Sequence, residues 1–145
     1  MPVFADSNQL NSCLKALFTR VGEKNPDATR QVSASHLVIR LRIISPEAEM
    51  VINGRRNPAQ ITYGASPLRP DLDVQLSADT LHAILLAELP LGKALANGLM
   101  KVRGPVLKSF VMEDVFHSGQ ALYPQILLEQ GVNGFHPGEL KQGAR

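Results

Sequence analysis

The chain has no tryptophan, and only 5% of its residues are aromatic. Proteins that hold single-stranded nucleic acid stack bases on aromatic rings, so that class has little to work with here. The formal net charge is +2, too weak a bias to demand a polyanionic partner, and no nucleic acid is expected. Cysteine occurs once, at Cys13, which excludes an intrachain disulfide. No apolar run approaches the ~18 residues of a membrane span. The N-terminus lacks a basic region followed by an apolar run, so no secretory signal is expected. A soluble, cytoplasmic protein is the simplest expectation. Also missing are a glycine-rich phosphate loop, a nucleophile elbow and a CxxC pair. Nucleophilic Ser or Cys catalysis therefore has no support, and the chain reads as a non-enzyme without cofactor.

The histidines give no metal site either. His36, His82, His117 and His136 fall on separate elements without metal-ligand spacing. Glu113 or Asp114 shares a helix face with His117, but two ligands do not make a site, and surface pairing explains them. Asp71, Asp73 and Asp79 read as strand-start and helix-dipole residues rather than as paired catalytic carboxylates. Cys13 lies on an apolar stripe, where it acts as a small hydrophobe.

What is present is apolar pattern. With 145 residues, 44% hydrophobic and 19% charged, the chain predicts one globular domain, expected over 1–131, followed by a flexible tail over 132–145. A domain of this size buries roughly 68–70% of the surface that its unfolded chain exposes, which leaves room for a full core and a cavity.

Asp6 or Ser7 is placed to cap a first helix, with Gln9 as its capping-box partner. Leu10, Cys13, Leu14, Leu17, Phe18 and Val21 then recur at helical spacing, and Gly22 reads as a left-handed stop. The stretch from Glu23 to Ala34 reads as a polar connection with room for a helical turn. Alternation predicts strands over His36–Ile44, Glu49–Asn53, Gln60–Tyr63, Asp71–Leu76 and Leu99–Arg103. Asn53-Gly54 is a hairpin signal, because both residue types tolerate positive φ. Ser77 caps a helix that Pro90 ends, and a shorter one follows over Leu91–Asn97. Pro105 suits the first position of a helix running through Phe116, and Leu122–Leu128 is a last apolar helical stretch.

These later helices carry more apolar surface than one buried face requires. Three explanations compete. One is burial between layers or in a homodimer. Another is a cavity with mostly apolar walls. The third is contact with a membrane through an exposed helix face. Residues for the lining of such a cavity are Leu81, Leu85, Leu89, Leu95, Met100, Phe110, Met112, Phe116, Leu122 and Ile126, acting by dispersion and desolvation. Each buried methylene contributes about 0.8 kcal/mol, so a hydrocarbon tail would bind without specific polar contacts.

The order helix, three-strand meander, strand, helix pair, strand, helix resembles the sterol carrier protein 2 family. The wording that carries the resemblance is Asp71-Leu72-Asp73-Val74-Gln75-Leu76-Ser77, then Gly98-Leu99-Met100-Lys101-Val102-Arg103-Gly104, then the helix through Phe116. The resemblance implies an α+β fold: a five-stranded, mostly antiparallel sheet covered by helices on one face, enclosing an apolar tunnel. It implies a lipid ligand, whether sterol, fatty acyl chain, acyl-CoA or isoprenoid and quinone precursor, and an accessory role in lipid or quinone metabolism. Pro105 departs from the family pattern, where an acidic or amide residue is common. The final Gly143-Ala144-Arg145 gives no peroxisomal address. An interaction module that self-associates or docks biosynthetic enzymes without a ligand is the alternative. In the topology that the resemblance implies, Arg40, Arg42, Lys101 and Arg103 lie on strands of one sheet and are expected to share a face, where they are either solvated or offer transient contact with an anionic membrane surface.

Overall fold

A computed structural model describes residues 3–105 and 110–132, with Phe110 as backbone only. Among the described residues, six helices and five strands follow in the order α1 (Ser7–Lys24), α2 (Pro26–Ser35), β1 (Val38–Ile44), β2 (Ala48–Asn53), β3 (Gln60–Tyr63), β4 (Leu72–Ser77), α3 (Ala78–Leu85), α4 (Leu91–Ala96), β5 (Met100–Arg103), α5 (Phe110–Gln120) and α6 (Tyr123–Glu129). The expected residues Val106 and Leu107 lie outside the described residues.

The strands form one sheet in the order β3-β2-β1-β4-β5. β1 pairs with β4 in parallel, and the other pairings are antiparallel. Register puts Ile39 beside Ile52 and Leu72, Leu41 beside Met50 and Val74, and Leu76 beside Met100. Because side chains alternate along each strand, this aligns one apolar face across the whole sheet. All of these residues are buried, in one cluster with the inner stripes of α1, α3, α5 and α6. The fold is α+β, with a mixed, mostly antiparallel sheet.

Local chemistry explains the helix ends. Asp6 accepts from the Gln9 N–H at 2.8 Å, the cap that the sequence predicts, while the Gln9 amide oxygen accepts at 2.8 Å from the N–H of Ala5, one residue before the cap, rather than from Asp6 as a capping box would have it. Ser77 accepts from the Thr80 N–H at 3.0 Å. Three boundaries differ from expectation. Gly22 is inside α1, which runs to Lys24. The span read as a polar connection holds a ten-residue helix, α2, with Pro26 in its first turn and Ala28 and Val32 buried. α3 ends at Leu85, well before Pro90. Ala87 takes a left-handed conformation at φ 61, and the Ala87 and Glu88 N–H groups donate to the Ile84 and Ala83 carbonyls at 3.0 and 2.9 Å. That pair of bonds closes the helix end without glycine.

Gly54 also differs. It is not in a positive-φ turn. A Cβ there would stand 2.5 Å from both the Val32 and the Leu37 carbonyl oxygens, so glycine lets the β2–β3 connection touch the end of α2. The packed chain extends to Val132, which is buried, and the rest of the expected tail lies outside the described residues. Among those residues no helix is long and apolar enough to cross a membrane.

The outer sheet face collects the expected cations. Arg40 stands in register with Asp73, and Asp73 with Arg103. Asp73 accepts from Arg40 Nε at 3.2 Å and lies 3.4 Å from Arg42 Nε. The hydrogen bonds from Arg40, with Arg42 and Arg103 nearby, hold the Asp73 carboxyl below its ordinary value of 3.8. A depressed carboxylate stabilises the fold above the unfolded-state value, and that stability is lost as pH falls through and below it. Asp73→Asn is expected to cost about 1 kcal/mol at neutral pH. The deficit against the parent should vanish in strong acid, as measured by urea melts along a pH series. A deficit that is constant with pH would assign the effect to packing.

Candidate ligand cavity

An apolar cavity of about 440 Å³ opens between the C-terminal half of α1, α2, the edge of the sheet and α5. Phe18 and Val21 reach it from the end of the α1 stripe, and Ile52 and Ile61 face each other in register on β2 and β3. Ala28 and Val32 come from α2, Val115 from α5, and Pro58 and Ala59 from the β2–β3 connection. Gly22 borders the cavity, and a Cβ built on it would meet nothing within 4 Å. The small side chains on α2 and the bare backbone at Gly22 keep this space empty where a leucine stripe would fill it. Its volume falls in the ~300–1,000 Å³ range of small-molecule pockets.

Hydrogen bonds fix α2 as the wall. At one end, Asn25 Nδ2 donates to Ser118 Oγ at 3.0 Å, tying the α1–α2 corner to α5. At the other, Ser33 Oγ donates to the Arg56 carbonyl oxygen at 2.9 Å. Polar groups are few: Thr29, Arg30 and Asn57. Among the described residues of the lining, Arg30 is the one ionisable side chain, and none is a carboxylate, thiol or imidazole of the kind that acid–base or nucleophilic chemistry uses. A recess of similar size at the β1–β2 turn has Arg42, Glu47, Glu49 and Gln75 in its walls, and that mixture of charges does not suit an apolar guest.

The residues selected from sequence are elsewhere. Leu81, Leu85, Met100, Met112, Phe116 and Ile126 are buried in the core. Leu89, Leu95 and Leu122 are half-buried against it, and the side chain of Phe110 lies outside the described residues. None of those with described side chains borders the 440 Å³ cavity. Their surplus apolar surface is covered by neighbours, because α5 packs on α1, α2, α3 and α6. Sequence reasoning missed the α2 wall. The signal was there: Pro26 at a helix start, Asp27 in the first turn, and Ala28 and Val32 at helical spacing.

Cys13 is buried, and burial pushes its thiol up to about 11, away from a reactive thiolate. Tyr123, also raised by burial, places its hydroxyl 2.7 Å from His82 Nδ1, the polar partner that a buried tyrosine requires. Among the described residues no group of three or more His, Cys, Asp or Glu side chains is arranged to hold a metal ion.

No family model matches the chain and no curated protein matches it. Solved structures do. Sterol carrier protein 2 from Yarrowia lipolytica, in its apo form, superposes with a TM-score of 0.62 at 16% identity, over 83% of this chain and 98% of its own. Palmitated SCP2L2 from Aedes aegypti gives 0.55 at 22% identity, over 73% and 92%. A ubiquinone synthesis protein, UbiJ-SCP2, gives 0.53 at 14% identity, over 74% and 86%. At these identities the likeness is one of fold.

Proposed function

From the sterol carrier protein 2 fold as premise, we propose that this chain binds a lipid non-covalently and carries it, without catalysis. The observation that supports this most is the apolar cavity of about 440 Å³, walled by α1, α2, β2, β3 and α5, with no carboxylate, thiol or imidazole among its described lining residues. Phe18, Val21, Ile52, Ile61 and Val115 make its first contacts with a hydrocarbon tail. Burying ten methylenes would contribute about 8 kcal/mol, enough for useful affinity after the costs of association.

Met112 and Phe116 flank Val115 on α5. In this proposal they and the rest of the sequence-derived set form the surface behind the cavity, which a longer tail reaches only by parting the helices. A sterol, an acyl chain and an isoprenoid or quinone precursor are all apolar enough for the first contacts. The likeness to a ubiquinone synthesis protein motivates the last of these and an accessory role beside biosynthetic enzymes. Loading from a membrane would use the outer sheet face. Arg40, Arg42, Lys101 and Arg103 outnumber Glu49 and Asp73 on that face, and each net charge is worth about 1 kcal/mol at an anionic surface.

The test is organic extraction of gently purified protein, alongside native mass spectrometry. A bound lipid near one per chain is expected. Lipid-free protein that also fails to take up a fluorescent fatty acid would end the carrier reading, and a ligand-free dimer would favour an interaction module.

A further inference from the structure

The sheet ends in two edge strands, β3 and β5, each paired on one side only among the described residues. They are built differently. β5 carries Lys101 and Arg103, the kind of charge that natural edge strands use against unwanted pairing. β3 is Gln60-Ile61-Thr62-Tyr63, a strand without charge or proline whose last three residues favour β-structure.

Register identifies the backbone groups that β3 leaves over. The Gly64 N–H donates to the Glu49 carbonyl oxygen at 2.7 Å, and the Gly54 N–H donates to the Leu37 carbonyl oxygen at 2.8 Å. In an antiparallel pair, successive residues point their N–H and C=O groups to opposite sides. The first bond therefore turns those of Thr62 and Gln60 toward β2, where they meet Val51 and Asn53. The second sets the same phase from the β1 side of β2. The N–H and C=O groups of Ile61 and Tyr63 are left pointing outward, and no other described backbone group bonds to them. We infer that this edge pairs with the β3 edge of a second copy of the chain, antiparallel about a two-fold axis at Thr62.

Self-complementarity selects the occupant. With Ile61 opposite the partner's Tyr63, and Tyr63 opposite the partner's Ile61, all four outward groups of each strand form cross-strand hydrogen bonds. Sliding by two residues would set Tyr63 against Ala59 or Ile61 against Ala65, outside the strand. The side chains suit the same register. Ile61 and Tyr63 both pack toward the core, so a β-branched residue stands beside an aromatic ring twice, a favourable cross-strand pair. Thr62 meets its own copy on the outer face. No like charges oppose one another along the strand, whereas β5 against itself would bring Lys101 and Arg103 up to cations. Along the same edge α1 presents Asn8, Asn11 and Ser12 beside Tyr63, and Lys15 is turned onto its own Tyr63 ring, 5.5 Å from the centroid. Ile61 also lines the apolar cavity, so the partner's Tyr63 becomes part of that cavity's rim. The contact is small beside the ~800 Å² per partner of a standard interface, and the dimer is accordingly weak and reversible.

The experiment is sedimentation of the full chain over a concentration series, beside Thr62→Lys. Thr62 is exposed, and the substitution sets two cations face to face at the axis. The parent is expected to show a monomer–dimer equilibrium, and the variant to weaken it about ten-fold or more with an unchanged urea midpoint. Thr62→Cys tests the register. Residues opposed in a non-hydrogen-bonded pair have Cα atoms about 4.5 Å apart, within disulfide reach, and the native Cys13 is buried. Air oxidation should link Thr62→Cys into covalent dimers faster than Lys101→Cys on the other edge. A parent that stays monomeric at millimolar concentration overturns the inference. So does a dimer that Thr62→Lys leaves intact, or cross-linking at position 101 as fast as at 62. Should Thr62→Lys lower the urea midpoint, the cysteine pair decides alone. A dimer linked through β3 that neither carries nor takes up a lipid would end the carrier reading and leave this inference standing.

Discussion

One added methyl group, Gly104→Ala, is expected to destabilise the protein by roughly 3–5 kcal/mol. Two effects combine. Gly104 has φ +121, a conformation that costs an L-residue about 1–3 kcal/mol. A Cβ there would also stand 2.2 Å from the Asp71 carbonyl oxygen and 3.2 Å from Leu72 Cδ2. Overpacking of this kind typically costs about 1–3 kcal/mol when neighbours relax, and here relaxation is hindered. The Asp71 N–H donates to the Val38 carbonyl oxygen at 2.7 Å, and its carboxylate accepts from the Val38 N–H at 2.8 Å. Arg55 holds the same carboxylate from outside. Against a total stability of about 5–15 kcal/mol, the loss should show as a large drop in the urea midpoint or as insoluble protein. Gly64 is the control. It too has a positive φ, +100, but open space around it, so Gly64→Ala should show the backbone penalty alone. A loss under about 1 kcal/mol at Gly104 would mean that β4 and β5 part more easily than their hydrogen bonds imply.

The second large effect is on binding, from Gly22→Leu. Position 22 is inside α1 and borders the apolar cavity. Nothing stands within 4 Å of its missing Cβ, so the new side chain has room to enter without displacing the fold. A leucine occupying the space of three or so tail methylenes removes about 2.4 kcal/mol of burial, roughly a fifty-fold loss of lipid affinity. Folding should move the other way, because replacing glycine inside a helix gains about 0.5–1 kcal/mol. Loss of binding with gain of stability is a signature that a misfolded variant cannot imitate. Unchanged affinity in the more stable protein would place the lipid outside this cavity.

The helices and strands that could be read in the sequence are those whose signal is a repeated pattern. Leu10 to Val21 and the alternation through Leu41 and Val74 each repeat one period several times, and the structure keeps them. Single-residue punctuation fared worse. The sequence predicts special φ values at Gly22 and Gly54, yet each serves by lacking a side chain, one beside a cavity and one beside two carbonyl oxygens. The tight end of α3 needs no Gly or Pro, because Ala87 accepts a left-handed conformation within a pair of well-made hydrogen bonds. The apolar cavity is the least legible feature. Apolar surplus on a helix measures how much of it is covered, and α5 is covered by four neighbours. A void needs the opposite signature, small or absent side chains on facing elements, and Gly22, Ala28 and Ala59 make no stripe that periodicity detects.

The parallel pairing of β1 with β4 has a consequence for the order of events as the chain is made. When synthesis has passed Tyr63 but not Leu72, the meander of β1, β2 and β3 can zip up, yet β1 still shows a bare rim of amide and carbonyl groups. Such a rim is where chains join wrongly, and its proper mate is more than thirty residues downstream by register. Pairings this distant close late. A nascent molecule therefore passes through an interval of vulnerability, which ends only when the segment bearing Val74 emerges and seals the middle of the sheet.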